Sequence, residues 1–293
     1  MSGPARGTAT NVTWEATEGI ERLARLVKDR RVLVLSGAGV STESGIPDYR
    51  GPHTAARSTR PIYYREFVTN PAARARYWAR SAVGWPRVSS AQPNSGHIAI
   101  ARMESSGPVI GVITQNVDRL HQAAGSVRVV ELHGALADVV CLSCGAREQR
   151  DQTQERLLAL NPEWAKVEFP AAVTAPDGDA SIEVPLDGSF RVPDCLQCTG
   201  TLKPDVVFFG ENVPRERVDR ALSMLAEAEV LLVAGSSLTV YSGYRFVVQA
   251  NAEGKPVAIV NLGPSRGDSQ AAVRIDAALG EALPALAAMV GAD

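Results

Sequence analysis

The chain has 293 residues, of which 45% are hydrophobic, and a formal net charge of −2. This length exceeds a typical domain of about 100–200 residues and predicts one large domain with a smaller one. The near-neutral charge, without a dense Lys or Arg run, disfavours nucleic acid and membranes as partners. No apolar stretch approaches the roughly 18 residues of a membrane span.

Residues 1–17 predict a flexible N-terminus without a signal pattern, so we expect a cytoplasmic location, with the mitochondrial matrix as the alternative.

Short apolar segments recur along the chain, with helical patterns between them. The spacing of Ile20, Leu23 and Val27 predicts a helix that leads into a buried strand at 32–35. Such strands suit a parallel sheet that helices cover on both faces, so the predicted fold class is α/β, a Rossmann-like doubly wound sheet. Further strands are predicted at 109–113, 127–132, 206–209, 230–233 and 257–260, and a further helix at 213–228.

Two segments lack this alternation of strands and helices, and as insertions they predict a smaller zinc-binding and helical domain. Residues 51–104, rich in Arg, Pro and aromatic residues, indicate loops with short helices, whereas residues 141–203 carry the cysteines. Turn signals between 174 and 188 indicate surface exposure. The Rossmann-like domain is then expected to comprise residues 18–50, 105–140 and 204–293.

The four cysteines, Cys141, Cys144, Cys195 and Cys198, form two Cys-x2-Cys pairs. Each pair can form a turn that presents two thiolates to one tetrahedral zinc ion. A redox-active Cys-x-x-Cys is the alternative, but two such pairs in a chain expected to be intracellular favour a metal. Because four thiolates leave no position for a catalytic water, the zinc is predicted to be structural.

The first strand leads into a glycine-containing turn. Gly37 and Gly39 allow a tight turn and the close approach of a pyrophosphate to backbone N–H groups, although a purely structural turn would also explain them. The third glycine, Gly45, comes too late for the dehydrogenase pattern Gly-x-Gly-x-x-Gly. No obvious acid follows the second strand. An ordinary dehydrogenase is therefore disfavoured.

Six segments resemble the signature blocks of the sirtuin family, in family order: 37–50, 114–121, 131–134, 203–211, 235–238 and 261–263. Five others resemble the class II, mitochondrial sirtuin-4-like branch: 41–50, 76–80, 83–86, 175–179 and 240–246. The resemblance implies an NAD-dependent protein lysine deacylase that transfers the acyl group to ADP-ribose and releases nicotinamide. Its implied partners are acyl-lysine proteins or peptides.

The resemblance assigns catalysis to His133, Asn116 and Asp118. His133 is the implied base, because attack of the acyl-amide oxygen on the nicotinamide ribose requires a ribose hydroxyl to lose its proton. An imidazole with a reference pKa of about 6.5 suits that task. Asn116 is implied to order the ribose and a water, and Asp118 to hold the nicotinamide carboxamide. Helix capping is the alternative for both.

The resemblance also implies where NAD and the substrate bind. Segments 207–211 and 237–241 resemble the pair that clamps an extended peptide by strand addition. The implied substrate-binding residues in these segments are Val207, Phe208, Phe209, Gly210, Glu211 and Val240. The implied NAD-binding residues are Gly37, Ala38, Gly39, Ser41, Thr42, Pro47, Asp48, Tyr49, Arg50, Gln115, Asn116, Val117, Asp118, Gly235, Ser236, Ser237, Asn261, Leu262, Gly263 and Leu279.

Tyr77 and Arg80 suggest a preference for an acidic acyl chain. Two residues three apart on a helix share a face, and a guanidinium beside the acyl tunnel can pair with the carboxylate of a succinyl- or glutaryl-like chain. The alternative is a solvated arginine next to a core tyrosine.

Two other functions stay open on the sequence. An NAD-dependent protein mono-ADP-ribosyltransferase would share the cofactor site and the cleavage of the nicotinamide–ribose bond. A non-catalytic zinc-containing binding module with a vestigial pocket is disfavoured by the intact set His133, Asn116 and Asp118. The oligomeric state is not predicted.

Overall fold

A computed structural model of the chain describes residues 14–48, 61–166, 178 and 189–292. Its helices are α1 (Trp14–Val27), α2 (Tyr64–Thr69), α3 (Pro71–Ser90), α4 (Ser95–Ser106), α5 (Leu120–Ala123), α6 (Arg150–Leu160), α7 (Arg215–Glu227), α8 (Tyr241–Ala252) and α9 (Leu279–Met289). Its strands are β1 (Val32–Ser36), β2 (Val109–Thr114), β3 (Val129–Glu131), β4 (Gly134–Cys141), β5 (Arg147–Gln149), β6 (Leu202–Val206), β7 (Val230–Ala234), β8 (Val257–Val260) and β9 (Val273–Ile275).

The larger sheet has six parallel strands in the order β3-β2-β1-β7-β8-β9. The chain builds outward from β1 to β3 and then returns to place β7 on the other side of β1. The strand order therefore reverses between β1 and β7, and in open α/β sheets ligands bind at the carboxyl ends of the strands at such a point. This sheet confirms the predicted fold class.

Helices cover both faces of this sheet, which explains why its strands are apolar on both sides. One core joins α1, α4 and α9 to the sheet and includes Ile20, Ile100 and Leu283. The opposite core joins α7 and α8 to it and includes Leu225 and Phe246. Helix α4 belongs to the first core, although its first residues fall in the 51–104 range expected in the small domain. The division of the chain into those residue ranges stays a prediction.

The smaller sheet is antiparallel, in the order β5-β4-β6. Its core contains Tyr77 and Trp78 of α3, Leu136 of β4 and Leu157 of α6. Helix α3 has 20 residues and is not one of the short helices expected from this Pro-containing segment. Asn70 caps its N-terminus by accepting from two backbone N–H groups, and Pro71 occupies the first turn, where no N–H partner is needed.

Two strand predictions were wrong in position. Residues 206–209 were expected in the parallel sheet, but the strand is β6, which pairs with β4 and ends at Val206. The apolar side chain of Phe208 is buried in the small-domain core instead. The strand predicted at 127–132 is β3, which begins only at Val129; Val127 lies before it and is 90% exposed. The remaining predicted strands lie within a residue of their expected bounds, and β4, β5 and β9 were not predicted.

No helix in the described part of the chain is long and apolar enough to cross a membrane.

Candidate active site

Two glycine turns meet at the carboxyl ends of β1 and β7. The N–H of Gly39 donates to the carbonyl of Gly235 over 2.9 Å. A Cβ on Gly37 would lie 2.7 Å from the Cβ of Ser236, and one on Gly39 would lie 2.9 Å from the Cα of Gly235. Both distances are shorter than real side-chain contacts, so the backbones approach this closely only because these residues are glycines. The two turns therefore pack directly against each other at the switch point of the sheet.

The turn after β2 joins these two turns through side chains. The Gln115 amide donates to Ser236 Oγ over 2.8 Å, and the Asn116 amide donates to Ser41 Oγ over 3.0 Å. Ser41 in turn donates its hydroxyl to Asp118 Oδ2 over 2.7 Å. Polar residues that the sequence places far apart are therefore brought together from the ends of three neighbouring strands.

Asp118 lies between the start of α5 and the first glycine turn. Its Oδ1 accepts from the N–H of Leu120, the first residue of α5, at 3.0 Å, while the N-cap position itself is Arg119. Its Oδ2 faces Ser41 in the centre of the site. Burial raises the pKa of Asp118, and the hydrogen bonds from Leu120 and Ser41 oppose that shift.

His133 follows β3 and stands beside the same cluster. Its Nδ1 lies 2.9 Å from the carbonyl oxygen of Gln115, and because a carbonyl only accepts, Nδ1 carries the proton. Its Nε2 lies 2.7 Å from Ser242 Oγ. The pKa of His133 is lowered to about 4, chiefly by burial; the hydrogen bond with the Gln115 carbonyl opposes this shift, and the positive charge of Arg217 makes a smaller contribution to it. The imidazole is therefore neutral at pH 7, with Nε2 available to accept a proton.

The four cysteines form a cluster at the end of the small sheet. Their Sγ atoms all lie within 4.8 Å of one another, with Cys141 and Cys198 at 3.5 Å and Cys144 and Cys195 at 3.8 Å. Sulfur atoms bound to one tetrahedral zinc at about 2.3 Å would be about 3.8 Å apart, so this arrangement fits the ion. The N–H groups of Ser143 and Gln197 point at two of the sulfur atoms from 3.4 Å. Such donors favour thiolates, as a zinc site requires.

The substrate segment predicted at 207–211 begins next to His133. The N–H of Val207 donates to the carbonyl of His133 over 2.8 Å. Beyond it the chain turns, because Glu211 accepts from the N–H of Phe208 at 2.8 Å and donates its own N–H to the Phe208 carbonyl. The carbonyl of Phe209 accepts from Tyr64. Gly210 is exposed at this turn, and Val240, the other predicted substrate residue, is 38% exposed at the start of α8.

Tyr77 and Arg80 lie on consecutive turns of α3. Tyr77 is only 3% exposed, and its ring packs edge-on against Phe67, Trp78 and Phe208. The Tyr77 and Phe208 ring centroids are 5.1 Å apart, so Tyr77 contacts the predicted substrate segment. Arg80 is half-buried. The core-tyrosine interpretation and the acyl-pocket interpretation are both compatible with this packing.

The other residues predicted to bind the cofactor differ in their exposure to solvent. Thr42 and Leu262 are exposed, whereas the Asn261 amide bonds the carbonyls of its own turn at Leu262 and Gly263. The side chain of Leu279 lies in the core, so a ligand would meet only its main chain. Ala38, Pro47, Asp48, Val117 and Ser237 are half-buried around the same turns, and Tyr49, Arg50 and most of 174–188 lie outside the described residues.

Three residues at the site were missed by sequence reasoning. Asn94 donates to the carbonyl of Val40 over 2.7 Å while its Oδ1 caps α4, so one amide ties the first glycine turn to a helix. Glu43 accepts from the N–H of Gly280 at the start of α9. Ser242 contacts His133. An Asn before Ser-Gly-His is a recognisable capping signal, but nothing in the sequence says what the other end of its amide holds.

Comparison with known proteins agrees with this geometry. The profile of the Sir2 family matches residues 37–242. The chain is 50% identical over 269 residues to "NAD-dependent protein deacetylase 1" of Mycobacterium avium, which covers 90% of this chain and 93% of that protein. It is 47% identical to human "NAD-dependent protein lipoamidase sirtuin-4, mitochondrial", over 91% of this chain and 85% of that protein.

A solved structure described as "Sir2-p53 peptide-NAD+" superimposes with a TM-score of 0.74 at 28% identity, covering 94% of this chain and 99% of that one. A profile match over more than half of the residues and relatives of about half-identical sequence lead to one conclusion: the chain belongs to the Sir2, or sirtuin, family.

Proposed function

We propose that this chain is an NAD-dependent protein lysine deacylase in which His133 is the general base and Asn116 and Asp118 complete the catalytic group. The observation that carries the proposal is the state of His133. A neutral imidazole with a protonated Nδ1 and an unprotonated Nε2 stands beside the glycine turns at the switch point of the sheet. The family membership supplies the reaction class to which such a base belongs.

Bound NAD supplies an electrophilic ribose carbon and nicotinamide as its leaving group. The chain's own residues hold and orient it. The glycine turns after β1 and β7 let a pyrophosphate approach the backbone closely, and Asn116 and Asp118 contact the first of these turns through Ser41. His133 accepts the ribose hydroxyl proton at Nε2, while Nδ1–H stays on the Gln115 carbonyl and keeps the ring oriented.

The four cysteines hold a zinc ion that stabilises the small domain and takes no part in the reaction. Cys141 ends β4, and β4 and β6 pair from the zinc end back to Gly134 and Val206 beside His133. The metal cluster therefore fixes the two strands that lead to the base and to the start of the substrate segment. The cytoplasm stays the predicted location, and acyl-lysine proteins or peptides the predicted partners.

The function is tested with a panel of lysine peptides carrying acetyl, glutaryl and lipoyl groups, of which the lipoyl group is suggested by the name of the human relative. We expect NAD-dependent release of nicotinamide in step with loss of the acyl group from at least one peptide. Mass spectrometry of an acceptor protein incubated with NAD separates this outcome from ADP-ribosyl transfer. Labelled acceptor without deacylation would contradict the proposal and favour the transferase.

The predicted preference for an acidic acyl chain is tested by substituting Arg80. If its guanidinium pairs with an acidic acyl chain, Arg80→Met should reduce activity on glutaryl-lysine by about 10-fold or more relative to acetyl-lysine, because a charged hydrogen bond contributes about 1.5–3 kcal/mol. The ratio of kcat/KM on the two peptides is the measurement. Arg74→Met, on the same helix, is the control and should leave the ratio unchanged. Equal changes on both peptides would show that Arg80 is only structural.

A further inference from the structure

Ser242, the second residue of α8, places its hydroxyl against the imidazole of His133. Its Oγ lies 2.7 Å from Nε2 of His133, and the side chain is half-buried. The other end of the imidazole is occupied by the Gln115 carbonyl at 2.9 Å. The ring is thus held at both nitrogens by two different parts of the chain, the turn after β2 and the start of α8.

The direction of the second hydrogen bond follows from the first. The Gln115 carbonyl can only accept, so Nδ1 is protonated, and in a neutral imidazole Nε2 then has no hydrogen. The Ser242 hydroxyl therefore donates to Nε2. A ring turned over by 180° would face both partners with C–H groups and lose both bonds. A ring in the other tautomer would aim a lone pair at the carbonyl oxygen of Gln115.

We propose that Ser242 is a positioning residue that holds the His133 ring in the orientation in which Nε2 can accept a proton, while the Gln115 carbonyl sets the Nδ1–H tautomer. This inference rests on the proposed role of His133 as the base. The hydroxyl occupies the Nε2 lone pair in the free enzyme, and a substrate hydroxyl takes its place when the base acts. Ser242 exchanges no atom with the substrate in this scheme, and its contribution is to the orientation of the ring.

The neighbouring structure is built to place this hydroxyl. Gly243, the next residue, would put a Cβ 2.4 Å from Oε1 of Gln115, so the first turn of α8 lies directly against the turn that holds Nδ1. Helix α8 is anchored in the core by Phe246 and Val247. The same close packing that positions Ser242 therefore also positions Gln115, and the distance between the two contacts on the ring is set by rigid backbone.

The test compares Ser242→Ala with Ser242→Thr in the full chain. Nitrogen-15 NMR of the His133 ring at pH 7 should show a protonated Nδ1 and a hydrogen-bonded, unprotonated Nε2 in the parent protein. In Ser242→Ala the Nε2 resonance should move to the position of a free acceptor, and kcat should fall about 2- to 10-fold, as expected for one lost hydrogen bond. KM for NAD and peptide should change less than twofold. Ser242→Thr keeps the hydroxyl and should restore both the Nε2 signal and most of kcat.

Val248→Ala, at an exposed position of the same helix, controls for general effects on α8. Unchanged ring signals in Ser242→Ala would overturn the inference, as would an equal loss of kcat in the Ala and Thr variants. The NMR signature does not depend on turnover. A parent protein that shows the expected ring signals but deacylates no peptide would contradict the proposed function and leave the ring-positioning contact established.

Discussion

Replacing His133 by Asn should reduce kcat/KM on the best acyl-lysine peptide by about 10²–10⁴-fold, the contribution of a positioned general base. Asparagine keeps an N–H that can reach the Gln115 carbonyl but offers no group that accepts a proton near neutral pH. The variant should therefore fold and bind NAD. Nicotinamide release measures the activity, and the shift in melting temperature caused by NAD measures binding. Activity within 10-fold of the parent would contradict the assignment of His133 as the base.

The pH dependence of the parent enzyme follows from the same residue. The base works only when neutral, and burial lowers its pKa to about 4. As pH falls from 7.5 to 6.0, an imidazole with the ordinary pKa of about 6.5 would lose activity about fourfold. The buried His133 should lose almost none over this range, because its protonation begins only at lower pH. The measurement is kcat/KM as a function of pH, which reports the free enzyme.

Two substitutions of Arg217 test whether the pKa of His133 controls the pH dependence. Its positive charge lowers the pKa of His133, and it also pairs with Asp205 over 2.7 Å. Arg217→Gln removes the charge and should move the acid limb of the kcat/KM profile to higher pH. Arg217→Lys keeps the charge and should leave the limb near its parent position. An acid limb at pH 6.5 in the parent, or no difference between the variants, would be inconsistent with the buried neutral imidazole.

Removing one zinc ligand should unfold or loosen the small domain. Cys144→Ser changes an exposed residue and leaves the core packing intact, so its effect reports the metal site. Structural zinc sites contribute on the order of 10 kcal/mol to folding in isolated zinc fingers. We therefore expect zinc content to drop from about one ion per chain, the melting temperature to fall by about 10 °C or more, and deacylation to be lost with it.

Ser143→Ala is the control for the zinc prediction, since it lies in the same turn and keeps all four thiolates. It should retain one zinc ion and full activity. Metal analysis and calorimetry provide the two measurements. A metal-free parent protein of unchanged stability would contradict the zinc assignment, and so would a Cys144→Ser variant that keeps both its zinc and its melting temperature.

Much of the fold could be predicted because the signals are local. The runs Val32 to Leu35 and Val230 to Val233 are apolar at every position, which is typical of strands buried on both faces, and both lie in the parallel sheet. The strand predicted at 206–209 was misplaced because an apolar run predicts that the segment is buried but not in which of the protein's cores it lies. Phe208 is buried against Tyr77 in the small domain.

For the candidate site, too, some features could be predicted from the sequence and others could not. Spacing was enough to single out the four cysteines, because paired thiolates suit a tetrahedral metal ion, whereas the resemblance to the sirtuin signature blocks singled out His133, Asn116 and Asp118. The contacts between these residues and the rest of the chain were not predictable. Asn94 and Ser242 look like ordinary helix-start residues in the sequence, and their partners lie 54 and 109 positions away.

The sequence by itself thus determined the α/β class and the metal-binding chemistry, and its resemblance to the sirtuin signature blocks predicted His133 as the base. Only the tertiary structure decided the state of that base. Its protonated nitrogen, its lowered pKa and its contact with Ser242 come from the Gln115 carbonyl, from burial and from α8, which meet His133 only after the chain has folded. Hydrogen bonding and desolvation depend on distances between atoms, and distances between residues far apart in the chain are set by packing.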